Sequence, residues 1–403
     1  MRRVVRAVVA RWADVLPERH DATIVLKPNL NNDLVALTGN CTDPRVLDAL
    51  LGELGARGYT NLVVADGSNV GVARRGIDTF RRLRVDALAE RHGARTVDLN
   101  RDAGVPVELV AGVRPTVART VVDAALHVGV PTLKTHVEAG LSCALKNQVG
   151  ICVGEHKRAM HHDLGATIHA LARQVRPGRI LVDALVAMEG NGPGDGDPVR
   201  LDALIDGDDP WLVDLVAARI AGIDPRSVAP LAAAFADGTV DAELQAQVEA
   251  AFPVLVPVRR PPPRPLLARL ADARALRPLK VAARPLTDRP EVARAAYALG
   301  VLQDVYELED DTLRLVGRDS AACEGCAAPC TGVCPTGLPL EAIGTRTELP
   351  DCTQCLQCWW ACPRDALRVE GEPRAMARQL ARYRAQVAAL CAATAAPGRY
   401  RAE

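Results

Sequence analysis

The sequence predicts an α/β fold, in which helices cover a mostly parallel sheet, followed by a small α+β module near the C-terminus. Two observations lead to this prediction. Short apolar runs alternate with amphipathic stretches over roughly the first half of the chain, and this alternation is typical of parallel strands connected by helices. Eight of the twelve cysteines then lie within residues 323–363, which marks that segment as a separate unit.

The elements of the body can be assigned from apolar periodicity and from helix start and stop signals. Strands are expected at 22–27, 60–66, 95–99, 124–131 and 179–183. Helices are expected at 1–17, 42–58, 76–92, 163–176 and 209–222. The helix at 42–58 has Thr42 or Asp43 as its N-cap, Pro44 at its first position and Gly58 at its end.

Four regions follow from these patterns. The α/β body is expected at 1–255, and the proline-dense stretch at 253–265 marks its boundary. A Pro-rich linker and helical region then covers 256–316, and the cysteine-rich module covers 317–370. Residues 371–403 form a helix and tail, and we expect the apolar stripe of this helix to dock the module on the body.

Composition excludes several classes of protein. The chain has 403 residues, is 49% hydrophobic and carries no formal net charge, so it can bury a sizeable core and is neither disordered nor of a nucleic-acid-binding class. No apolar run reaches the ~18 residues of a membrane span. The cysteines outside the module are isolated, as expected of a reducing compartment. We therefore expect a cytoplasmic protein that binds neither nucleic acid nor membrane.

Lysine is scarce in this chain. Of 49 basic residues, 44 are Arg and five are Lys. Since Arg is used where a solvated positive charge suffices, the few lysines are enriched for positions that need a compact ammonium with an adjustable pKa. Three of the five lie in residues 131–162, together with four of the eight histidines. A histidine-bound transition metal is the alternative explanation for that cluster.

Polar side chains follow several predicted strands at the point where each strand ends. In open parallel sheets, ligands bind at the carboxyl ends of the strands. We therefore expect the following residues to converge on one site: Lys27, Pro28, Asn29, Asp66, Gly67, Ser68, Lys134, Thr135, His136 and Asp183.

Lysine and histidine side chains can hold an anion and move protons near neutral pH. Lys134, His136 and Lys146 are the catalytic candidates, with Lys134 or His136 as the general acid. The substrate-binding candidates are Lys27, Asn29, Asp66, Ser68, Asn147, His161, Glu189 and Asn191. Lys157 and His169 are interpreted as structural.

No nucleotide-binding fingerprint is present in the body. Neither G-x-G-x-x-G nor G-x-x-x-x-G-K-[ST] follows the predicted strands. The Gly-rich stretch at 189–198 does not lead directly into a helix, and a mobile loop over the site is an equally good interpretation. We therefore expect no bound NAD or FAD.

The cysteine spacing carries a specific chemical signal. Cys352, Cys355, Cys358 and Cys362, followed by Pro363, have the C-x2-C-x2-C-x3-C-P spacing of a bacterial ferredoxin. A second run, Cys323, Cys326, Cys330 and Cys334, repeats it with one extra residue before its third cysteine. The duplicated pattern resembles a two-cluster ferredoxin domain, in which the fourth cysteine of each run ligates the other cluster. The resemblance implies two 4Fe-4S clusters, one on Cys323, Cys326, Cys330 and Cys362, the other on Cys352, Cys355, Cys358 and Cys334.

Three other interpretations of these cysteines remain open. Structural zinc uses four-cysteine sites built from two separated pairs, although the triplet spacing and both Cys-Pro ends argue against it. A disulfide framework fits short secreted chains. Clusters that only brace the fold are the third interpretation.

Several motifs of the body also resemble a known family. VLKPNL (25–30), PTLKTH (131–136), LKNQVG (145–150) and DALVAMEGNGPGDGDP (183–198) occur in the order seen in the domain of unknown function 362 family, and DPWLVD (209–214) fits as well. The resemblance covers about residues 20–225. Members similar to this chain often carry a C-terminal pair of ferredoxin clusters. One departure is the stretch between His136 and Lys146, which lacks a Thr-rich run.

Together these features predict a reductase. Electrons would come from an external donor such as a ferredoxin, pass through both clusters and reach a small anionic or carbonyl-bearing organic substrate. Lys27, Asn29 and Lys146 would bind the oxygens of the substrate, with Asp66, Asp183 and Glu189 orienting the proton-transfer groups. The alternatives are an electron-transfer or assembly protein that docks a protein partner, and a non-redox enzyme with structural clusters. The oligomeric state is left open.

Overall fold

The structure is a computed structural model that describes residues 1–110, 112–262, 307–345, 351–394 and 397–400, with isolated positions between 289 and 299. Most of the predicted linker and helical region at 256–316 therefore lies outside the described residues. Its described beginning belongs to the body, because Val256 and Val258 are buried in the body core.

The elements are numbered along the described part of the chain. The helices are α1 (Arg2–Ala10), α2 (Pro44–Ala56), α3 (Val70–Arg74), α4 (Thr79–Arg82), α5 (Val85–Arg91), α6 (Arg119–Val122), α7 (Ala144–Asn147), α8 (Leu164–Gln174), α9 (Pro210–Ile220), α10 (Ala229–Ala236), α11 (Ala242–Ala251), α12 (Pro329–Gly332), α13 (Gln357–Trp360) and α14 (Ala377–Ala392). The strands are β1 (Ile24–Pro28), β2 (Leu62–Asp66), β3 (Arg95–Asp98), β4 (Gly104–Pro106), β5 (Thr116–Ala118), β6 (Leu126–Val130), β7 (Thr132–His136), β8 (Gly140–Ser142), β9 (Arg179–Glu189), β10 (Asp197–Gly207), β11 (Arg314–Arg318) and β12 (Leu367–Glu370). The 3-10 turns are Ala36–Thr38, Gln148–Ile151, Gly154–His162 and Pro225–Ser227.

The body is built on one mixed sheet with the strand order β3-β2-β1-β6-β9-β7-β8, and β10 pairs with β9. The pairs β3–β2, β2–β1, β1–β6, β6–β9 and β9–β7 are parallel, whereas β7–β8 and β9–β10 are antiparallel. The predicted α/β fold with a mostly parallel sheet is confirmed.

Helices cover both faces of this sheet, so the strands are buried on both sides. Val25 and Val63 belong to the core on one face, and Leu26 and Val64 to the core on the other. This alternation follows from the two-residue period of a strand, and it explains why the strands have nearly continuous apolar runs. On the second face, α1 and α2 bury apolar residues of both helices.

The structure corrects the prediction that Lys134 and His136 lie in a loop, because both lie in β7. The prediction ended the strand at Pro131. β9 is long enough, however, to pair with β6 at its start (Val128 opposite Arg179) and with β7 further along (Thr132 opposite Asp183). For the same reason, Asp183 lies inside β9 and does not end a strand.

The helical stretch predicted around 76–92 is helical in the structure, but it is divided into two short helices. Asp78 caps α4 by accepting from the Arg81 N–H, and Arg84, with φ 57°, separates α4 from α5. A left-handed residue cannot continue a right-handed helix. The helix predicted at 42–58 is confirmed as α2, with Asp43 as its N-cap and Gly58, at φ +92°, just beyond its end.

The C-terminal module contains the antiparallel pair β11–β12 and the short helices α12 and α13. Its apolar core includes Trp359 and Trp360 and also contains Leu34 and Leu37, which belong to the loop after β1. The module therefore shares a core with the body. None of the helices in the described part of the chain combines the length and apolar character that crossing a bilayer requires.

Helix α14 lies against the body, as its apolar stripe predicted. Tyr383, Val387 and Leu390 are buried, and the Tyr383 hydroxyl donates to the Gly196 carbonyl over 2.7 Å. The Arg382 guanidinium pairs with Asp195 and Asp197 at 2.5 and 2.9 Å. These contacts tie the helix that follows the module to the loop between β9 and β10.

We predict that Tyr383→Phe destabilises the protein by about 1 kcal/mol, because it removes the shorter of the two hydrogen bonds that the buried Gly196 carbonyl accepts. Urea unfolding followed by circular dichroism would measure this. The control is Arg374→Gln, which removes an exposed ion pair with Glu372 and should cost less than about 0.5 kcal/mol. Equal effects of the two substitutions would contradict the docking described for α14.

Candidate functional site

A cavity of about 380 Å³ opens at the carboxyl ends of the central parallel strands. Its walls come from β1, β2, β7 and β8, the loops after β1 and β2, and the turn that begins at α7. The lining residues are Lys27, Asn29, Asn31, Asp66, Gly67, Ser68, Asn69, Val70, Gly71, Lys134, His136, Ser142, Lys146, Asn147, Val149, Gly150, Lys157, Arg158, His161 and Pro193.

Four of the chain's five lysines line this one cavity, and the fifth, Lys280, lies outside the described residues. Among the described lining residues, Asp66 is the one carboxylate set against four ammonium groups and the guanidinium of Arg158. The cavity is therefore cationic, and a small anion would relieve this excess of positive charge.

Lys27 and Asp66 form a buried ion pair at the floor of the cavity. The Lys27 Nζ atom lies 2.7 Å from Asp66 Oδ1, and both side chains are almost fully buried. Lys27 also donates to Asn147 Oδ1 over 3.0 Å, while Asp66 Oδ2 accepts from the Leu30 N–H over 2.6 Å. Burial lowers the pKa of the Lys27 ammonium, and the Asp66 carboxylate opposes that shift.

Two further lysines are held by protein oxygens. Lys134 donates to Asn29 Oδ1 over 3.1 Å and also to the Asn40 carbonyl. Lys157 donates to the carbonyls of Gly67 and Ser68 and to Asn100 Oδ1, over 2.8, 3.0 and 2.6 Å. Burial lowers the pKa of Lys157 to about 8, with Asp66 opposing the shift. Lys157, interpreted from the sequence as structural, thus lines the cavity. It lies in a 3-10 turn, where no apolar periodicity indicates the direction of its side chain.

Lys146 differs from the other three. It lies on α7, is half-buried, and has no hydrogen-bond partner among the residues that the structure describes. Burial lowers the pKa of its ammonium to about 8; Glu138 opposes the shift and the charge of Lys27 adds to it. Of the described cavity lysines, Lys146 is therefore the one whose ammonium could use all of its hydrogen bonds for a ligand.

The α7 turn is positioned by Asp214, a buried residue of α9. Its carboxylate accepts from the N–H groups of Ala144 and Leu145 over 2.7 and 3.3 Å. Burial raises the pKa of Asp214 to about 7. Sequence reasoning noted the DPWLVD motif but did not assign this role. The capping contact spans about 70 residues of chain and has no local signal.

His136 is held in one tautomer by the backbone. Its Nδ1 atom accepts from the N–H groups of Glu138 and Ala139 over 3.1 and 3.2 Å. While these bonds persist, the ring proton lies on Nε2, so the neutral imidazole can donate a hydrogen bond. His161 lines the cavity with Nδ1 2.9 Å from Glu138 Oε2.

The structure separates Glu189 and Asn191 from the other site candidates, since neither lines the cavity. The buried Glu189 carboxylate pairs with Arg259 at 2.7 Å and with Arg399, and Asn191 donates to Asp195. Only Pro193 of this Gly-rich stretch reaches the cavity wall. Asp183 is likewise remote from the cavity, because it accepts from the Asp43 N–H over 2.7 Å at the start of α2.

The eight cysteines of the module form two sets of four, each lining a separate cavity. Cys323, Cys326, Cys330 and Cys362 line one, and Cys334, Cys352, Cys355 and Cys358 line the other. Each set takes three cysteines from one run and the fourth from the other run. Tight loops create this grouping, with left-handed conformations at Gly325, Gln354 and Leu356.

The chemistry of these thiols is compatible with ligation of a cationic iron–sulfur core. Without such a positive charge nearby, the thiols would not readily lose their protons. Burial, together with the neighbouring thiols of Cys362 and Cys323, raises the pKa of Cys330 to about 11. Burial likewise raises the pKa of Cys355 to about 11. Crowded buried thiols become thiolates readily only when a metal supplies positive charge. Within the described part of the chain, no three His, Cys, Asp or Glu side chains converge as ligands of a single metal ion.

Fold and site together define an α/β protein with a cationic cavity and a cysteine-rich C-terminal module. Residues 24–219 match the model of a domain of unknown function, DUF362. Over 228 residues the chain is 27% identical to a thylakoid-associated protein of Synechocystis sp.; the match covers 52% of this chain and 66% of that protein.

Two solved structures are also similar. The lactate racemase apoprotein from Thermoanaerobacterium thermosaccharolyticum has a TM-score of 0.35 at 15% identity, covering 52% of this chain and 54% of that one. A protein from Thermotoga maritima has a TM-score of 0.34 at 14% identity, covering 55% and 59%. The chain thus spans just under two thirds of the Synechocystis protein and little more than half of each solved structure.

We predict that Gly150→Ala disrupts the floor of the cavity. A Cβ atom there would lie 2.5 Å from Asp66 Oδ1 and 2.7 Å from Lys27 Nζ, so the ion pair must separate, at a cost of about 2 kcal/mol or more. The control is Gly55→Ala in α2, where a Cβ atom meets nothing within 4 Å and should stabilise by about 0.5–1 kcal/mol. Melting temperatures would separate the two. An unchanged Gly150→Ala protein would contradict the tight packing.

We predict a pH-dependent difference between the wild type and Asp214→Asn. Because the folded-state pKa of Asp214, about 7, lies above its unfolded value, folding favours the protonated carboxyl, and this contribution is lost as pH rises through 7. The Asn side chain cannot ionise. The stability of the wild type should therefore fall relative to the variant between about pH 4 and 7, by up to about 1.4 kcal/mol per pH unit, and level off above pH 7. Melting curves recorded across this range would measure the difference. Parallel melting curves would contradict the prediction.

Proposed function

We propose that this protein is an iron–sulfur reductase of the DUF362 type, which passes single electrons through two 4Fe-4S clusters to a small anionic or carbonyl-bearing organic substrate. The observation that carries the proposal is the loop at residues 29–42. It contributes Asn29 and Asn31 to the lysine-lined cavity, and it contributes Leu34 and Leu37 to the core of the module that groups the eight cysteines. One loop thus joins the candidate substrate site to the candidate electron supply.

The two sets of four cysteines described above would hold the clusters. A bound 4Fe-4S cluster exchanges one electron at a time, at potentials of roughly −700 to +450 mV. The two sets are close to each other, because the thiol of Cys330 influences that of Cys358. We further propose a cytoplasmic location and an external, ferredoxin-type electron donor.

The residues of the cavity would bind the substrate and supply protons. Lys27, Asn29 and Lys146 would bind the anionic oxygens. His136, with its proton on Nε2, would donate a hydrogen bond to a carbonyl oxygen, and this supports a role as a neutral donor over the general-acid role expected from the sequence. Proton transfer would then fall to Lys134, which lines the cavity with His136.

The second candidate function is an electron-transfer or assembly protein that docks a protein partner. The exposed positions on the module, such as Gly325 and Arg364, beside the first set of cysteines, favour it. In that case the cationic cavity would be irrelevant to electron flow. The two functions therefore differ in whether cavity lysines affect reoxidation of the clusters.

We predict that the anaerobically purified protein contains about eight iron and eight sulfide per chain, as two 4Fe-4S clusters require. Element analysis would also count zinc, the main rival metal. Zinc without acid-labile sulfide would overturn the cluster assignment. Iron and sulfide at half the expected amount would overturn the cluster assignment for one of the two cysteine sets. Single Cys330→Ala and Cys355→Ala variants would identify the set that holds no cluster.

The same preparation tests the reductase itself. The dithionite-reduced protein is mixed with a panel of small carbonyl and carboxylate compounds, and reoxidation is followed by visible absorbance. Lys146→Ala should slow reoxidation by about 100-fold or more while its iron content stays unchanged, because within the described ranges Lys146 makes no hydrogen bond to protein whose loss could unfold the site. Reoxidation that is equally fast in both proteins would favour the electron-transfer alternative.

A further inference from the structure

The lysines of the cavity are not equivalent in what they can do chemically. Lys27, Lys134 and Lys157 each donate at least two hydrogen bonds to protein oxygens, which hold their nitrogen atoms in place against the protein. Lys146 lines the same cavity without such a partner among the described residues. Its amine can therefore lose a proton without breaking the structure around it.

The surroundings of Lys146 favour the neutral amine. It is half-buried in the cavity wall with Val149, where burial and the charge of Lys27 outweigh the opposing charge of Glu138. A lysine is activated as a nucleophile by desolvation next to another cation. At a pKa of about 8, roughly a tenth of the side chain is neutral at pH 7, compared with well under a thousandth at the ordinary value. Asp214 holds the backbone of the α7 turn, so the point from which the Lys146 side chain extends is fixed.

We propose that Lys146 forms a Schiff base with the carbonyl carbon of an aldehyde or ketone that also carries an anionic group. The Nζ atom adds to the carbonyl carbon, and the proton that it releases moves to the carbonyl oxygen, which gives a carbinolamine. The proton that the ammonium lost before the addition then passes to the hydroxyl group, which leaves as water while the nitrogen lone pair forms the C=N bond. In sum, the ammonium and the carbonyl give a protonated imine and one water, and no oxidant or reductant is consumed.

The other groups of the cavity suit this chemistry. The Nε2–H of His136 can hydrogen-bond to the oxygen that becomes the hydroxyl group, since Nδ1 is occupied by the backbone. The remaining cations hold the anionic group of the substrate. The inference rests on the proposed function for the class of substrate. It also deepens that proposal, because a protonated imine accepts electrons more readily than the parent carbonyl compound.

Reductive trapping tests the inference on the intact holoprotein. Pyruvate serves as the probe, sodium cyanoborohydride reduces any imine to a stable amine, and peptide mass spectrometry locates the adduct. The chain has only five lysines, so the other four and the α-amino group of Met1 are internal references in every sample. We expect labelling of Lys146 at a rate at least about tenfold above each reference amine.

Two comparisons make the outcome decisive. Lys146→Arg keeps the positive charge but cannot form an imine, so total labelling of the chain should fall at least about threefold. Acetone, which lacks the carboxylate, should label Lys146 about tenfold less than pyruvate. Labelling spread evenly over the lysines, or unchanged total labelling in Lys146→Arg, would overturn the nucleophilic role. Equal labelling by acetone would overturn the anionic class. Trapping needs no iron, so its failure is distinguishable from failure of the reductase proposal.

Discussion

The ion pair between Lys27 and Asp66 is the constraint on which the rest of the cavity depends. The parallel pairing of β1 with β2 brings the ends of these strands together, and both charges are buried there. A buried charge without its partner is costly, because desolvation is no longer offset by attraction. The pair therefore fixes the strand ends, the Leu30 backbone and the Asn147 amide in one arrangement. Gly150 must stay small so that the pair can form.

The loop after β1 extends this arrangement to the C-terminal module. Near its start, Asn29 accepts from Lys134, and near its end the Asn40 amide donates to the Pro193 carbonyl over 3.0 Å. Between them, Leu34 and Leu37 are buried in the core of the module. Since packed cores resist continuous deformation, a shift of the module would move Asn29 and Asn40 together. The cavity and the cysteine-rich module are therefore mechanically linked.

Local patterns in the sequence were sufficient for β1, β2, β3, β6 and the start of β9, for helix α2 and for most of the candidate site. Lys27, Asp66 and Ser68 could be placed together because the carboxyl ends of adjacent parallel strands meet at one edge of the sheet. The failures depend on contacts between distant parts of the chain. Glu189 looked like a site residue, but its partners Arg259 and Arg399 lie 70 and 210 residues away.

Lys and Arg occupy different kinds of position in this structure, and the difference has a steric basis. Arg259 and Arg399 approach Glu189 at half-exposed positions, where a planar guanidinium has room for two parallel hydrogen bonds. In the cavity, by contrast, the Lys157 ammonium lies so close to Gly67 that a Cβ atom there would be 2.5 Å from it. A guanidinium needs more space than this, whereas an ammonium is a compact charge with three donors. Lys157 thus lies where the backbone leaves room for a point charge only, and the same holds for Lys27 beside Gly150. This is a physical reason why the rarity of lysine in the sequence pointed to the cavity.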